Sequence, residues 1–268
     1  MSSGTLAAPR GLLLDFGGVI VQSERAVDWE RDLGAHVHAL LAQRLGGHAV
    51  PSRRRVVGDI AAGVTGAGKW RDAMSRPFAP TELGWEMFWG DFVAADWPAP
   101  AREVVVGHAR ELCHRLTLAK SHRRVRPGIP ELLAAAWDRG IPVAVVSNAL
   151  SGQVHREFLE QERLTTFVAA QIYSDEVGIR KPNPRMIELG AESIDVAVAE
   201  CWYVGDNFDR DTVCGRRAGV GANIIIEARS TYDLPYDLDE RPDAVVPDGH
   251  ALAALFTDSL SRLGSPHH

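Results

Sequence analysis

The sequence contains few cysteines, no long apolar run and no excess of positive charge. Its 268 residues include three cysteines, Cys113, Cys201 and Cys214, whose spacing does not match a metal-binding motif. Three thiols cannot all pair within one chain, so a reducing, cytoplasmic location is expected. No apolar run approaches the ~20 residues of a membrane-spanning helix, and the N-terminus lacks a charged-then-apolar signal pattern. With a formal net charge of −6, neither nucleic acid nor a membrane is an expected partner.

The composition is otherwise that of an ordinary globular protein. Hydrophobic residues make up 46% and charged residues 24% of the chain, and its length suffices for one large domain or for a domain with an insertion. Two basic runs, at residues 53–55 and 122–124, are expected to lie on solvated faces. Because the net charge is negative, any anion-binding site must be local.

Short apolar runs alternate with helical patterns in most of the chain. The first run is Gly11 to Phe16, and from residue 126 onward further runs include "IPVAVVSN", "ECWYVGDN" and "GANIIIEA". Strands that alternate with helices indicate parallel β-α-β units. The sequence therefore predicts an α/β fold, a three-layer sandwich around a parallel sheet.

The region between the first strand and residue 126 has a different pattern. Apolar residues recur at helical spacing from Leu33 to Leu45, from Trp85 to Phe92 and from Val105 to Leu116. The aromatic residues of the second stretch are expected to pack in a helical core. The glycine-rich stretch Gly63 to Trp70 predicts a flexible turn. Residues 22–125 are thus expected to form an inserted helical lid.

Polar residues stand where several predicted strands end. Asp15 follows the first strand, Ser147 and Asn148 follow the second, and Asp206 follows the strand that contains Tyr203. In open α/β sheets, ligands bind outside the carboxyl ends of the strands. These side chains are therefore expected to meet at one rim, which the loop carrying Lys181 can also reach.

Four motifs, in this order, resemble those of the haloacid dehalogenase-like hydrolase superfamily, whose members are mostly magnesium-dependent phosphatases. "LLLDFGGV" is similar to the first, with Asp15 as nucleophile, and "VVSNA" to the second, with Ser147 on a phosphoryl oxygen. "GIRKPNP" resembles the third, with Lys181 as its cation. "VGDNFDRD" resembles the fourth, with Asp206 and Asp211 near the metal.

The resemblance implies a Rossmann-like core of residues 10–21 and 126–268, with residues 22–125 as its helical cap. It also implies Mg²⁺, bound by Asp15, Asp206 and the Gly17 carbonyl, with Asp211 beside it. Asn148 and Gly18 would join Ser147 in binding phosphate. The implied substrate is a small phosphorylated metabolite, and the implied assembly is a monomer or a homodimer.

The residue types also suit phosphoryl transfer on chemical grounds. A carboxylate can attack phosphorus in line and form an acyl phosphate, which splits one difficult step into two. Since a carboxylate and a phosphate dianion repel each other, the site needs compensating positive charge. Mg²⁺, which prefers oxygen ligands, and Lys181 can supply it. Asp209, between the two acidic motif residues, is expected to be solvent-exposed.

The first motif departs from the family pattern at Gly17. Most phosphatases of the superfamily carry a second aspartate there, which protonates the leaving oxygen and then activates water. Loss of such a group typically costs about 10²–10⁴-fold in rate. Some of its phosphatases share the Asp-x-Gly pattern, so activity is still implied. The substrate would then have a good leaving group, as in a sugar 1-phosphate or an acyl phosphate, or water or a lid histidine (His36, His38 or His108) would supply the proton.

Two other interpretations stay open. A haloacid dehalogenase needs a carboxylate nucleophile but no acid for the leaving halide, so Gly17 would be harmless. However, the dehalogenases of the superfamily do not use magnesium, which the Asp206 and Asp211 pair suits. A weakly catalytic relic that binds a phosphorylated ligand or a protein is the other interpretation. Such relics usually lose several motif residues together, and here the nucleophile, serine, lysine and both distal acids remain.

Overall fold

The computed structural model describes residues 6–261. The strands are β1 (Gly11–Leu14), β2 (Val21–Arg25), β3 (Ser121–Val125), β4 (Val143–Ser147), β5 (Ala170–Tyr173), β6 (Cys201–Gly205), β7 (Ala222–Ile226) and β8 (Ala244–Val246). The α-helices are α1 (Trp29–Leu45), α2 (Arg53–Ala73), α3 (Trp85–Met87), α4 (Ala99–Gly107), α5 (Ala109–Ala119), α6 (Ile129–Asp138), α7 (Gly152–Gln161), α8 (Ser174–Val177), α9 (Arg185–Ser193), α10 (Val213–Ala218) and α11 (Gly249–Ser261). There are also two π-helical turns. Phe88–Val93 continues α3, and Phe208–Thr212 precedes α10.

Six parallel strands form one sheet in the order β5-β4-β1-β6-β7-β8. In its centre, Leu13 of β1 pairs with Ala144 of β4 on one side and with Tyr203 of β6 on the other. Strand order therefore reverses at β1, and ligands of such sheets bind beyond the carboxyl ends of the strands at that position. The predicted α/β class and the parallel sheet are confirmed.

The sheet is buried on both faces. Leu12 of β1 belongs to a hydrophobic cluster with Leu133 of α6 and Phe256 of α11, whereas Leu13 belongs to a second cluster with Ile187 of α9. This alternation follows from the two-residue period of a strand. Helices therefore cover both faces, which gives the three predicted layers. Among the helices of residues 6–261, none combines the length and the apolar character that crossing a bilayer requires.

Helices α1 to α5 pack around a hydrophobic cluster of their own. Its fully buried members include Val37 of α1, Ile60 of α2, Trp89 of the π-helical turn Phe88–Val93 and Leu112 of α5. Phe88, next to Trp89, is also fully buried there. Both aromatic residues therefore pack in the helical core, as the sequence predicted.

An antiparallel ribbon of β2 and β3 joins this helical segment to the sheet. The region predicted as a helical lid, residues 22–125, therefore has a strand at each end. Most side chains of the ribbon are polar, so its strands lack the apolar alternation that would have identified them. The division into a core of residues 10–21 and 126–268 and a lid of residues 22–125 stays a prediction, and residues 262–268 lie outside the described residues.

The glycine-rich stretch Gly63 to Trp70 is helical and not a flexible turn. It lies inside α2, which runs without interruption from Arg53 to Ala73. A Cβ at Gly63 would lie 2.6 Å from Val93 Cγ2 and 2.9 Å from the Phe92 carbonyl oxygen. Glycine is therefore required there by close helix packing, and the packing overrides its low helix propensity.

Candidate active site

The structure brings the predicted catalytic residues together at the carboxyl edge of the sheet. Asp15 follows β1, Ser147 ends β4, Asp206 follows β6, and Lys181 lies in the loop after α8. All four residues are buried, with relative exposures of 8% or less. Asp15, Ser147, Lys181 and Asp206 also line one cavity of about 330 Å³.

The Lys181 ammonium group lies between two carboxylates. Its Nζ is 3.0 Å from Asp15 Oδ1 and 2.6 Å from Asp211 Oδ1, and it donates a hydrogen bond to the Tyr203 hydroxyl at 2.7 Å. Burial alone would lower the pKa of Lys181, but the charges of Asp15 and Asp211 outweigh this effect and raise the pKa. The lysine is therefore a permanent cation beside Asp15.

Asp211 organises the loop after β6. Its Oδ1 accepts hydrogen bonds from Lys181 and from the Tyr203 hydroxyl, each at 2.6 Å. Its Oδ2 accepts from the backbone N–H groups of Asp206 at 3.1 Å and Asn207 at 2.9 Å. Burial opposes the charge of Asp211, yet Lys181 and these donors keep its pKa below the usual value. The carboxylate fixes the position of Asp206, its neighbour at the strand end.

The acidic residues fit a divalent cation. Asp15, Asp206 and Asp211 each offer a carboxylate oxygen, and these oxygens lie within 4.8 Å of one another. Burial raises the pKa of Asp206 to about 7, and the charges of Asp211 and Asp15 add to the shift. Burial likewise raises the pKa of Asp15, although Lys181 opposes this. Three buried carboxylates face one lysine, and Mg²⁺ with its preference for oxygen ligands suits that excess of negative charge.

Asn148 and Gly18, both predicted to bind phosphate, make contacts within the protein. Asn148 Oδ1 accepts from the Lys181 backbone N–H at 2.7 Å, and its Nδ2 donates to the Lys181 carbonyl at 3.1 Å. The Gly18 N–H donates to the Val21 carbonyl at 2.9 Å. Asn148 therefore positions Lys181, and phosphate binding by Asn148 and Gly18 stays a prediction.

Gly18 is required for a steric reason. Its φ is +75°, and a Cβ there would lie 2.2 Å from Asp206 Oδ2. Only glycine allows the loop after β1 to approach the acidic residue so closely. Gly17 is different, because a Cβ at that position would meet no atom within 4 Å. Space for a side chain exists where the usual second aspartate is missing.

Sequence reasoning missed several residues of the cavity, among them Arg123 and His155. Arg123, on the ribbon strand β3, lines it although its run was expected to be solvated. His122 and Arg124 are exposed and Arg123 is partly buried, which is the alternation of a strand. His155 of α7 also lines the cavity and stacks on Phe16, with ring centroids 3.9 Å apart. The alternation around Arg123 is recognisable only once the strand is known, and no motif identified Arg123 or His155.

Two further expectations about side chains need correction. Asp209 has a relative exposure of only 1%, so it is not at the surface. It lies in the π-helical turn after β6, which turns its side chain inward, 3.5 Å from Arg210 Nε. The lid histidines His36, His38 and His108 do not line the cavity of Asp15. His108 instead contacts the Val104 carbonyl oxygen at 2.8 Å, one turn earlier along the same helical region.

A model of the haloacid dehalogenase-like hydrolase family matches residues 9–219. The chain belongs to this family. The match extends from the nucleophile motif to the acidic motif and includes the helical segment between them.

Curated relatives resemble about half of the chain. Phosphoserine phosphatase from Thermus thermophilus is 35% identical over 139 residues, which cover 48% of this chain and 55% of that protein. (S)-2-haloacid dehalogenase 2 from a Pseudomonas species is 27% identical over 135 residues, which cover 50% of this chain and 55% of that protein. The chain thus spans about half the length of these relatives, and they include two different chemistries.

Solved structures of the family share the fold. A HAD phosphatase from Thermococcus onnurineus superposes with a TM-score of 0.56 at 18% identity, covering 91% of this chain and 96% of that one. The HAD hydrolase YfnB from Bacillus subtilis, bound to magnesium, gives a TM-score of 0.57 at 15% identity, covering 93% of this chain and 99% of that one. These similarities extend over both the sheet and the helical segment.

Proposed function

We propose that the protein is a magnesium-dependent phosphatase that acts on a small phosphorylated metabolite through an aspartyl-phosphate at Asp15. The observation that carries this proposal is the convergence of Asp15, Lys181, Asp206 and Asp211 in one buried cluster. A phosphatase among the curated relatives supports it. So does the neighbour CbbY from Rhodobacter sphaeroides, which was solved with xylulose-1,5-bisphosphate.

Asp15 is the proposed nucleophile. One of its oxygens forms a bond to phosphorus while the bond from phosphorus to the leaving oxygen breaks, and the leaving oxygen takes a proton from solvent. Water then attacks phosphorus, releases inorganic phosphate and regenerates the carboxylate. Lys181, 3.0 Å from Asp15 Oδ1, orients the carboxylate and offsets its charge against the phosphate.

Asp15, Asp206 and the Gly17 carbonyl would hold Mg²⁺, with Asp211 placing the loop that carries Asp206. The ion would supply positive charge against the phosphoryl oxygens. Ser147, buried at the end of β4, would donate its hydroxyl to one of those oxygens. Because Gly17 offers no acid, the preferred substrates have a leaving group that needs little protonation.

The replacement Asp15→Asn tests the nucleophile. We expect phosphate release to fall by at least about 10³-fold, because an amide cannot form the acyl phosphate. Asp138→Asn makes the same change on an exposed side chain of α6 and should leave turnover unchanged. Circular dichroism confirms that both variants are folded. Wild-type turnover in Asp15→Asn would refute the assignment.

Metal removal separates the phosphatase from the alternatives. Dialysis against a chelator should stop phosphate release from a panel of sugar, nucleotide and acyl phosphates, and Mg²⁺ should restore it. Halide release from a 2-haloacid that survives the chelator would instead identify a dehalogenase. Binding of phosphometabolites in calorimetry without any turnover would identify a relic.

A further inference from the structure

A second cavity, of about 490 Å³, adjoins the one that contains Asp15. It lies between the helical segment and the sheet, with Arg71 of α2 and Arg180 of the loop after α8 in its lining. The two cavities share Ser23, Arg123, Asn148 and Arg210. One small molecule can therefore extend from Asp15 into the second cavity, whose volume is typical of a metabolite site.

The lining of the second cavity is strongly cationic. Seven arginine or lysine side chains contribute to it, against the single carboxylate of Glu82. The whole chain has a net charge of −6, so this concentration of positive charge is local. Arginine and lysine side chains usually lie on a solvated surface. The ion pairs and the burial of these seven side chains show whether they do so here.

Four of the seven cations are paired or exposed. Arg180 lies 3.0 Å from Glu82, Arg25 lies 2.6 Å from Glu30, and Arg210 lies 3.5 Å from Asp209. The fourth, Arg229, is exposed.

The other three are Arg71, Lys120 and Arg123, all partly buried. Within residues 6–261, no carboxylate oxygen lies within 4.0 Å of their charged groups. They are unpaired cations on the wall of one cavity.

These cations destabilise one another in the free protein. Burial lowers the pKa of Lys120, and the charges of Arg71, Arg25 and Arg123 lower it further. Burial also lowers the pKa of Arg71, where Arg210 adds to the effect and Glu82 opposes it. An anion in the cavity would relieve this repulsion, because unpaired charge in a partly dry site is unfavourable.

We propose that the substrate carries a second anionic group, a carboxylate or a second phosphate, which Arg71, Lys120 and Arg123 bind while the scissile phosphate lies against Asp15. This inference rests on the proposed phosphatase function and narrows its substrate class. Arg123 lines both cavities, so it lies between the two anionic groups. Lys120 and Arg71 line only the second cavity, so they bind the remote group.

The test compares matched substrates that differ in the second anion. Phosphoglycerate is paired with glycerol phosphate, and fructose bisphosphate with fructose monophosphate. We expect kcat/KM to favour at least one bis-anionic member by about 10- to 100-fold, the range of a charged hydrogen bond. The pair that shows the preference distinguishes a carboxylate from a phosphate as the second group.

Arg71→Met and Lys120→Met should each reduce this preference toward unity while the proteins stay folded. Arg54→Met removes an exposed arginine from the same helix as Arg71 and is expected to keep the preference. Thermal unfolding is an independent readout, because removing an unpaired cation from the cluster should maintain or raise the Tm. A preference that survives both cavity variants would overturn the proposal.

The two proposals fail in different ways. The protein could hydrolyse nitrophenyl phosphate and yet show equal kcat/KM within every substrate pair. That result would overturn the second-anion site and leave the proposed phosphatase function standing. If no phosphate ester is hydrolysed, the proposed function fails, and calorimetry with the same pairs decides this inference. Tighter binding of a bis-anionic member, lost in Arg71→Met, would then support it, and equal binding would overturn it.

Discussion

At the scale of single residues, the missing side chain at position 17 has the largest chemical consequence. A Cβ there would meet no atom within 4 Å, and the position lines the cavity of Asp15. A side chain can therefore be added without repacking. In the proposed mechanism, the absence of an acid at this position would limit the reaction to substrates whose leaving oxygen needs little protonation.

The replacement Gly17→Asp should accelerate hydrolysis of an alkyl phosphate, whose leaving group is poor. We expect a gain of about tenfold or more, toward the 10²–10⁴-fold range of general acid–base catalysis. Steady-state phosphate release from glycerol phosphate and from nitrophenyl phosphate measures it, and the gain should be smaller for the second compound. Gly17→Asn has nearly the same shape but no titratable proton, so an equal gain in that variant would contradict the explanation.

His155 makes the stability of the protein depend on pH. Burial lowers its pKa to about 3, and the charge of Arg123 adds to the shift. Its Nδ1 has no hydrogen-bond partner in residues 6–261. The folded state therefore keeps this ring neutral, whereas the unfolded chain protonates it near the ordinary value of about 6.5.

Because the unfolded state binds the extra proton, this contribution to stability is complete above about pH 6.5 and is lost as the pH falls toward 3. Between pH 7 and pH 5 the loss from this residue is expected to be about 2 kcal/mol. Urea unfolding of the wild type and of His155→Phe at both pH values measures it. Groups common to both proteins, such as Asp206, cancel in the difference. An identical pH dependence in the two proteins would exclude His155 as the cause.

The site residues that could be predicted from the sequence differ from the missed ones in what fixes their positions. Asp15, Ser147, Lys181 and Asp206 could be predicted because each stands at the end of a strand or in an adjacent loop, where topology fixes its direction. Arg123 could not, because its position depends on a polar ribbon whose register only the folded chain defines. Contacts such as those of Asn148 with Lys181 likewise depend on loops that meet only after folding.

At the scale of secondary-structure elements, the largest error was the flexible turn predicted at Gly63 to Trp70, a stretch that is helical. Close packing between helices explains it. The local pattern of α2 contains glycines that favour a turn, yet tertiary packing makes a small residue necessary. Gly63 lies against the π-helical turn Phe88–Val93, close to the Phe92 backbone. A backbone atom cannot move aside as a flexible side chain can, so a Cβ at position 63 would clash with the Phe92 backbone.

Two glycines of α2 provide a matched comparison. Gly63→Ala should lower the free energy of unfolding by about 1–3 kcal/mol through overpacking. Gly58→Ala adds the same methyl group where no atom lies within 4 Å, and it should raise that free energy by about 0.5–1 kcal/mol. Denaturant unfolding measures both. If Gly63→Ala raised the free energy of unfolding, the helices could move apart without losing stability, and the packing argument would be wrong.

At the scale of the whole molecule, a few buried polar contacts hold the helical segment against the sheet. Arg180, from the loop after α8, forms an ion pair with Glu82 from the segment between α2 and α3, at 3.0 Å. The two side chains are only 1% and 8% exposed. Arg180 also lies over the ring of Trp70 on α2, 5.3 Å from its centroid. The pair therefore connects the helical segment to the loop that carries Lys181.

Removing one charge of this pair should destabilise the whole protein. Glu82→Gln leaves Arg180 buried without a counter-ion, and we expect the free energy of unfolding to fall by about 3 kcal/mol. Glu200→Gln breaks the exposed pair with Arg10, whose side chains are 43% and 74% exposed, and should have a much smaller effect. Urea unfolding followed by circular dichroism compares them. Equal effects of the two replacements would mean that Arg180 is solvated in solution, and the helical segment would then be held by its apolar contacts alone.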